Sequence, residues 1–163
     1  MNQTITLRPT DRGDIAAIDA LLARSYPALL KGDYPPSTLV TAVPLISRAQ
    51  PRLIMSGTYY IAEDAAGRAL GAGGWTRTRG RAATADIRHV VTSVDHVRRG
   101  VGRAILSHVF AQARAAGVLQ FECMATLTAL PFYRAMGFVE VGAAKVPLAP
   151  GVTFPAIRMV RSG

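Results

Sequence analysis

The chain has 163 residues, 50% of them hydrophobic and 18% charged, with a formal net charge of +9 carried almost wholly by arginine; the only lysines are Lys31 and Lys145. That length suits a single domain, 1–163, and the composition excludes a disordered chain. No apolar run reaches the roughly 18 residues of a membrane span, the first ten residues lack a signal-peptide core, and the lone cysteine, Cys123, excludes an internal disulfide and a Cys-based zinc site, so a cytoplasmic, metal-free protein is expected.

In chain order, Ile5 and Leu7 alternate with polar neighbours up to Pro9, which predicts a first strand. Asp11 or Asp14 then caps a helix with Ile15, Ile18, Leu21 and Leu22 on one face. Five prolines between Tyr26 and Arg52 leave room for one short helix, about 37–48. Residues 58–63 and 69–76 form a hairpin, and 83–92 a further strand. From Val101 to Gly117 runs a helix with an apolar stripe of Val101, Ile105, Leu106, Val109, Phe110 and Ala113. A strand at 119–125, a short helix near Pro131 and strands at 138–144 and 153–160 complete a mixed α/β pattern.

The turn Val97–Gly102 is the segment richest in chemical information. A strand that ends in Gly-x-Gly and opens a helix leaves unpaired amide N–H groups at the positive end of the helix dipole, a ready anion site. Gly100 and Gly102 keep side-chain bulk away from those amides, and Arg98, Arg99 and Arg103 add guanidinium groups at the same opening. Gly-x-Gly alone also fits a plain strand-to-helix connection. A Gly-Lys-Ser/Thr loop is absent, and Ile105 stands where a dinucleotide fingerprint needs glycine or alanine, so neither nucleotide motif applies.

Residues 87–106, IRHVVTSVDHVRRGVGRAIL, followed by 130–138, LPFYRAMGF, resemble the GNAT superfamily of N-acetyltransferases. The first segment matches its acetyl-CoA motif, Arg/Gln-x-x-Gly-x-Gly/Ala. The second matches Ala-x-x-Phe-Tyr-x-x-x-Gly-Phe through Ala129, Phe132, Tyr133, Gly137 and Phe138. Three positions depart from the pattern: Val97 for Arg or Gln, Val94 for a proline, and Thr126 for an asparagine. The resemblance implies a mixed, mainly antiparallel sheet of six to seven strands flanked by about four helices. The sheet should splay between the strands around 83–92 and 119–125.

It also implies a chemistry: transfer of an acetyl group from acetyl-CoA to a primary amine of a small molecule or peptide, by direct attack in a ternary complex. The pyrophosphate would lie on Val97, Arg98, Arg99, Gly100, Val101, Gly102 and Arg103, and the pantetheine arm along Val90 to Thr92. Tyr133 would act as general acid toward the CoA sulfur, and Asp86 as base, with Glu122, His89 or water as the other candidates. Strand alternation predicts that Asp86 and His89 point to opposite faces. Tyr26, Trp75 and Arg77 are expected at the acceptor, with Arg79 and Arg81 hinting at an anionic group on it. Cys123 reads as a buried structural thiol.

A second reading is a non-catalytic acyl-CoA-binding regulatory module, which retention of the tyrosine disfavours. The arginines are scattered and accompany no helix-turn-helix, zinc or aromatic signature, so no nucleic-acid partner is expected, nor a membrane. The last strand, 153–160, would offer an edge for a homodimer.

Overall fold

The computed structural model describes residues 4–163, beginning with strand β1 (Thr6–Pro9). Asp11 caps the turn that follows: its carboxylate accepts from the Gly13 N–H at 2.8 Å, while Asp14 accepts from the Asp11 N–H at 2.8 Å. Helix α1 (Ile15–Leu30) buries Ile18, Leu21 and Leu22, and it continues through Pro27. The ring removes one helical hydrogen bond, but Tyr26 and Leu30 lie one turn apart on the buried face, and packing carries the helix past the break. The single helix expected at 37–48 is instead divided into α2 (Pro36–Thr41) and α3 (Val43–Ile46), with α4 (Pro51–Ile54) after them. Each carries proline in its first turn, where a missing N–H costs nothing.

Next come β2 (Tyr59–Glu63), β3 (Ala69–Thr78), β4 (Arg81–Thr92), α5 (Val101–Ala115), β5 (Gln120–Ala125), α6 (Leu130–Ala135), β6 (Val139–Ala149) and β7 (Val152–Ser162). The strands form one seven-stranded sheet in the order β1-β2-β3-β4-β5-β7-β6, antiparallel except for β4 beside β5. The predicted mixed α/β architecture is therefore present. The last hairpin is longer than expected, because Val146 and Leu148 keep burying side chains beyond 144. Its order also moves the free edge: β7 is paired on both sides, by β5 and β6. Within the last hairpin the unpaired edge belongs to β6, where Val139 and Val141 are exposed, and not to 153–160.

Each sheet face carries a core. Helix α5 seals one through Ile105, Leu106, Val109 and Phe110 against Ile87, Phe121 and Met159. It can approach closely because β3 is bare: a Cβ on Gly73 would lie 2.8 Å from Ile105 Cγ2 and 2.9 Å from Val90 Cγ2. Helices α1 to α4 seal the other face through Ile18, Leu22, Leu30 and Ile54 against Tyr59, Ile61, Ala72 and Val91.

Two irregularities shape the centre. The β4–β5 ladder pairs Thr84 with Gln120, Ala85 with Phe121 and Asp86 with Glu122, then stops while both strands run on. The sheet splays there, as expected. In β4 itself Ala72 faces Val91 but Gly74 faces Arg88, so β4 carries one extra residue, a bulge. His89 sits in it at φ +46°. Consequently Ile87 packs under α5 while Val91 packs under α1, although both are odd-numbered.

Candidate functional site

Two cavities with shared lining residues lie beside the splay. One, of about 750 Å³, lies between the bulged half of β4 and the head of α5; it is lined by Val90, Val91, Thr92, Val97, Arg98, Gly100, Val101, Gly102, Arg103 and the α6 residues Phe132 and Tyr133. The other, of about 490 Å³, is lined by Asp86, Arg88, His89, Glu122, Cys123 and Arg158 beneath the last hairpin. Tyr26 and Thr126 line both. Each volume falls within the roughly 300–1,000 Å³ of small-molecule sites.

At the first cavity, Gly100 caps α5 at φ +80° and ψ +9°, a left-handed conformation that costs a side-chain-bearing residue about 1–2 kcal/mol. Nothing lies within 4 Å of where its Cβ would be, so conformation is what requires glycine here. At Gly102 the reason differs: a Cβ would come within 3.1 Å of the Phe132 ring and 3.4 Å of Thr92 Oγ1. The missing side chain lets α5, α6 and β4 close on one another as well as leaving the helix amides bare. Arg98, itself at φ +62°, and Arg103 line this opening; Arg99 does not. A fifteen-residue helix whose first amides face a groove beside guanidinium groups fits an elongated anion such as a nucleotide pyrophosphate.

Tyr133 is buried in the α5-side core, its ring set edge-on between Phe132 and Phe138 at centroid distances of 5.2 and 5.3 Å. Burial drives its phenol well above the ordinary pKa of 10, so it stays protonated. The bulge opposite is held by two other tyrosines. Tyr59 donates to the His89 carbonyl at 2.8 Å and Tyr26 to the Val90 carbonyl at 3.3 Å. Tyr59→Phe should therefore lower stability by about 1–2 kcal/mol in urea unfolding, since it leaves a buried carbonyl unpaired without opening a void. A loss under about 0.5 kcal/mol would mean the bulge holds without it.

The second cavity is charged. Asp86 and Glu122 face each other across the last rung of the parallel ladder, an arrangement that is repulsive unless neutralised. Glu122 is neutralised: Arg158 and Arg81 donate to it at 2.7 and 3.0 Å. Burial by itself would raise its pKa, but the hydrogen bonds and positive charges of the two arginines together outweigh burial and hold it below the usual carboxylate value. Asp86 instead accepts a neutral bond from the Thr78 hydroxyl at 2.9 Å. His89, expected on the opposite face from Asp86, lines the same cavity, because the bulge shifts the alternation by one residue. Its pKa is pushed down to about 4 by burial and by the charge of Arg88. Gln50 fixes its tautomer: the amide oxygen accepts from Arg88 at 3.2 Å, so the amide nitrogen donates to His89 Nε2 at 2.9 Å. Burial raises the Cys123 thiol to about 12, which keeps it un-ionised and unreactive at neutral pH.

Two of the residues expected at the acceptor stand apart from these cavities. Trp75 is buried in the α5-side core with its Nε1 directed at the Tyr60 hydroxyl, 3.4 Å away. Arg77 lies over the Trp75 ring and donates to the Ala82 and Ala116 carbonyls. Neither lines either of the two cavities described above. The charged wall is built from Arg88 and Arg158, and the apolar wall from Val146, Leu148 and Phe154 of the last hairpin. The readable signal for that wall is the alternation of apolar residues at 146 and 148, beyond the expected strand end at 144. Among the described residues no group of His, Cys, Asp and Glu is arranged to hold a metal ion, and no helix is long and apolar enough to cross a membrane.

A model of the acetyltransferase (GNAT) domain matches residues 55–140, which include both irregularities of β4, the head of α5 and the Phe-Tyr helix. The chain belongs to the GNAT acetyltransferase family. Its fold is shared with a GCN5-related N-acetyltransferase of Rhodopseudomonas palustris, at TM-score 0.82 and 22% identity over 100% of this chain and 98% of that one. It is shared too with the PaiA N-acetyltransferase of Thermoplasma acidophilum solved with coenzyme A, at 0.76 and 12% over 98% and 99%. N-acetylglutamate synthase of Neisseria gonorrhoeae, solved with coenzyme A and N-acetyl-glutamate, aligns at 0.65 and 18% over 99% of this chain but 36% of its own. No curated protein matches the sequence.

Two of the three departures from the GNAT motifs, Val94 and Thr126, have local reasons. At the proline position, Val94 donates its N–H to the Ser25 hydroxyl at 3.3 Å, a bond proline cannot make. At the asparagine position, Thr126 caps the next turn by accepting from the Ala129 N–H at 3.2 Å, and still lines both cavities.

Proposed function

We propose that residues 1–163 form a single N-acetyltransferase domain that moves an acetyl group from acetyl-CoA to a primary amine within a ternary complex. The observation that carries this reading is that the two cavities adjoin at Tyr26 and Thr126, which line both: a helix head with bare amides lies on one side and a carboxylate-bearing chamber on the other. The relatives solved with coenzyme A support the assignment of the first cavity to the thioester.

In this reading the helix head, Arg98 and Arg103 hold the pyrophosphate, and Val90 to Thr92 hold the pantetheine arm. Asp86 takes a proton from the acceptor ammonium. The freed nitrogen forms a bond to the acetyl carbon, the carbon–sulfur bond breaks with its electron pair leaving on sulfur, and the Tyr133 hydroxyl supplies the proton that makes the thiol; the second proton shed by the nitrogen as it becomes an amide returns to the Tyr133 oxygen. The products are the amide and coenzyme A, with one proton released overall. A backbone N–H near Thr92 stabilises the oxyanion. Asp86 is preferred as base because Glu122 is clamped by two arginines and the His89 lone pair is engaged and weakly basic.

Isothermal calorimetry with acetyl-CoA and thiol release over a panel of amines test this. Wild-type protein should bind the thioester, and Gly102→Val, which loads a side chain onto the helix amides and Phe132, should weaken binding at least about tenfold, or about 1.4 kcal/mol. Binding without thiol release from any amine would leave the non-catalytic module standing. Absence of binding would remove both.

A further inference from the structure

Within the acceptor cavity two charged groups of opposite sign lack an opposite partner. Asp86 and Arg88, both half-buried, lie two positions apart on β4, and both line the cavity. Among the described residues neither makes an ion pair, whereas the neighbouring Glu122 has two arginines. Nor do they pair with each other: Asp86 accepts from Thr78, and the Arg88 guanidinium donates to Thr76 Oγ1 and Gln50 Oε1, both at 3.2 Å. Those long, neutral contacts orient the arginine without neutralising it, and its fork has donors left over. A buried charge without a counterion is costly. Two such charges of opposite sign, on residues whose backbones stand about 6.6 Å apart by the strand rise and whose side chains line one cavity, are complementary to one molecule carrying both signs.

Resting on the acetyltransferase reading, we infer that the acceptor is a free α-amino acid with an uncharged, apolar side chain. Asp86 receives its ammonium and Arg88 its carboxylate, in fork geometry. The side chain lies against Leu45, Ile46, Met124, Val146, Leu148 and Phe154, which form the apolar remainder of the cavity. Gln50 ties Arg88 to His89, so a neutral histidine completes the support without adding charge. A peptide N-terminus has no carboxylate beside its amine, and a polyamine would bring a second cation toward Arg88; both fit worse.

Matched pairs decide the question. L-leucine, L-methionine and L-phenylalanine are assayed for thiol release beside 3-methylbutylamine, 3-(methylthio)propylamine and 2-phenylethylamine, which differ only by the carboxylate. At least one amino acid should exceed its amine in kcat/KM by about 30-fold. Arg88→Gln should raise KM for that amino acid, with a defect about 30-fold larger than on the amine, and Arg88→Lys should recover part of the difference. Amines turned over as well as or better than the acids, equal Arg88→Gln defects on both, or no turnover of any amino acid while other amines react, each overturns the inference and leaves the transferase reading intact. If Arg88→Gln does not fold, the wild-type pairs and Arg88→Lys decide alone. Failure of acetyl-CoA to bind in calorimetry is the separate result that removes the underlying reading.

Discussion

Tyr133→Phe is expected to lower kcat by about 100-fold while the dissociation constant for acetyl-CoA stays within about twofold. The ring packs edge-on between Phe132 and Phe138, and phenylalanine preserves that packing. What the substitution removes is one hydroxyl, which burial keeps protonated well above the ordinary pKa of 10 and which therefore remains a donor across the working pH range. A thiolate leaving from the thioester needs that proton, because expelling a free anion into a cavity lined by Phe132 and Leu30 is costly. Steady-state thiol release at saturating acceptor, with calorimetry for binding, measures both quantities. An unchanged kcat would hand the proton delivery to water.

Asp86→Asn is expected to lower kcat/KM by about 100-fold near neutral pH, and the deficit should shrink as pH rises. The sign follows from the acceptor. At neutral pH its amine is an ammonium and needs a base; toward alkaline pH a growing fraction arrives already deprotonated. Substituting Glu122 should not reproduce this pattern. Its hydrogen bonds from Arg158 and Arg81 hold its pKa below the usual carboxylate value against the opposing effect of burial, so it is fully ionised and poorly basic throughout the working range. A pH–rate profile of wild type and Asp86→Asn on one amine is the measurement. A deficit that is constant with pH would assign Asp86 to positioning the acceptor and not to proton removal.

The anion-binding head of α5 was legible because its requirements are local. Gly-x-Gly, flanking arginines and an apolar helical stripe occupy consecutive positions, and backbone amides need no distant partner to be exposed. The Phe-Tyr segment was legible for a similar reason, as a short pattern on one helix. The charged cavity was not. Trp75 and Arg77 looked available in a list of residues, yet the fold spends them on the α5-side core and on two carbonyls. Arg88 belongs to no motif, and only the packing of the short helices and the last hairpin beside β4 places it, half-buried, in a cavity wall.

By itself, then, the sequence determined the order and type of the main elements, the family, and the helix head that faces an anion, since each depends on residues near one another in the chain. Only the tertiary structure decided which carboxylate is free and which is clamped, because Arg81, Glu122 and Arg158 meet from three strands. The same holds for the faces of β4. The extra residue at His89 becomes visible only when β4 is registered against β3, and one added residue sends every later side chain to the opposite side of the sheet.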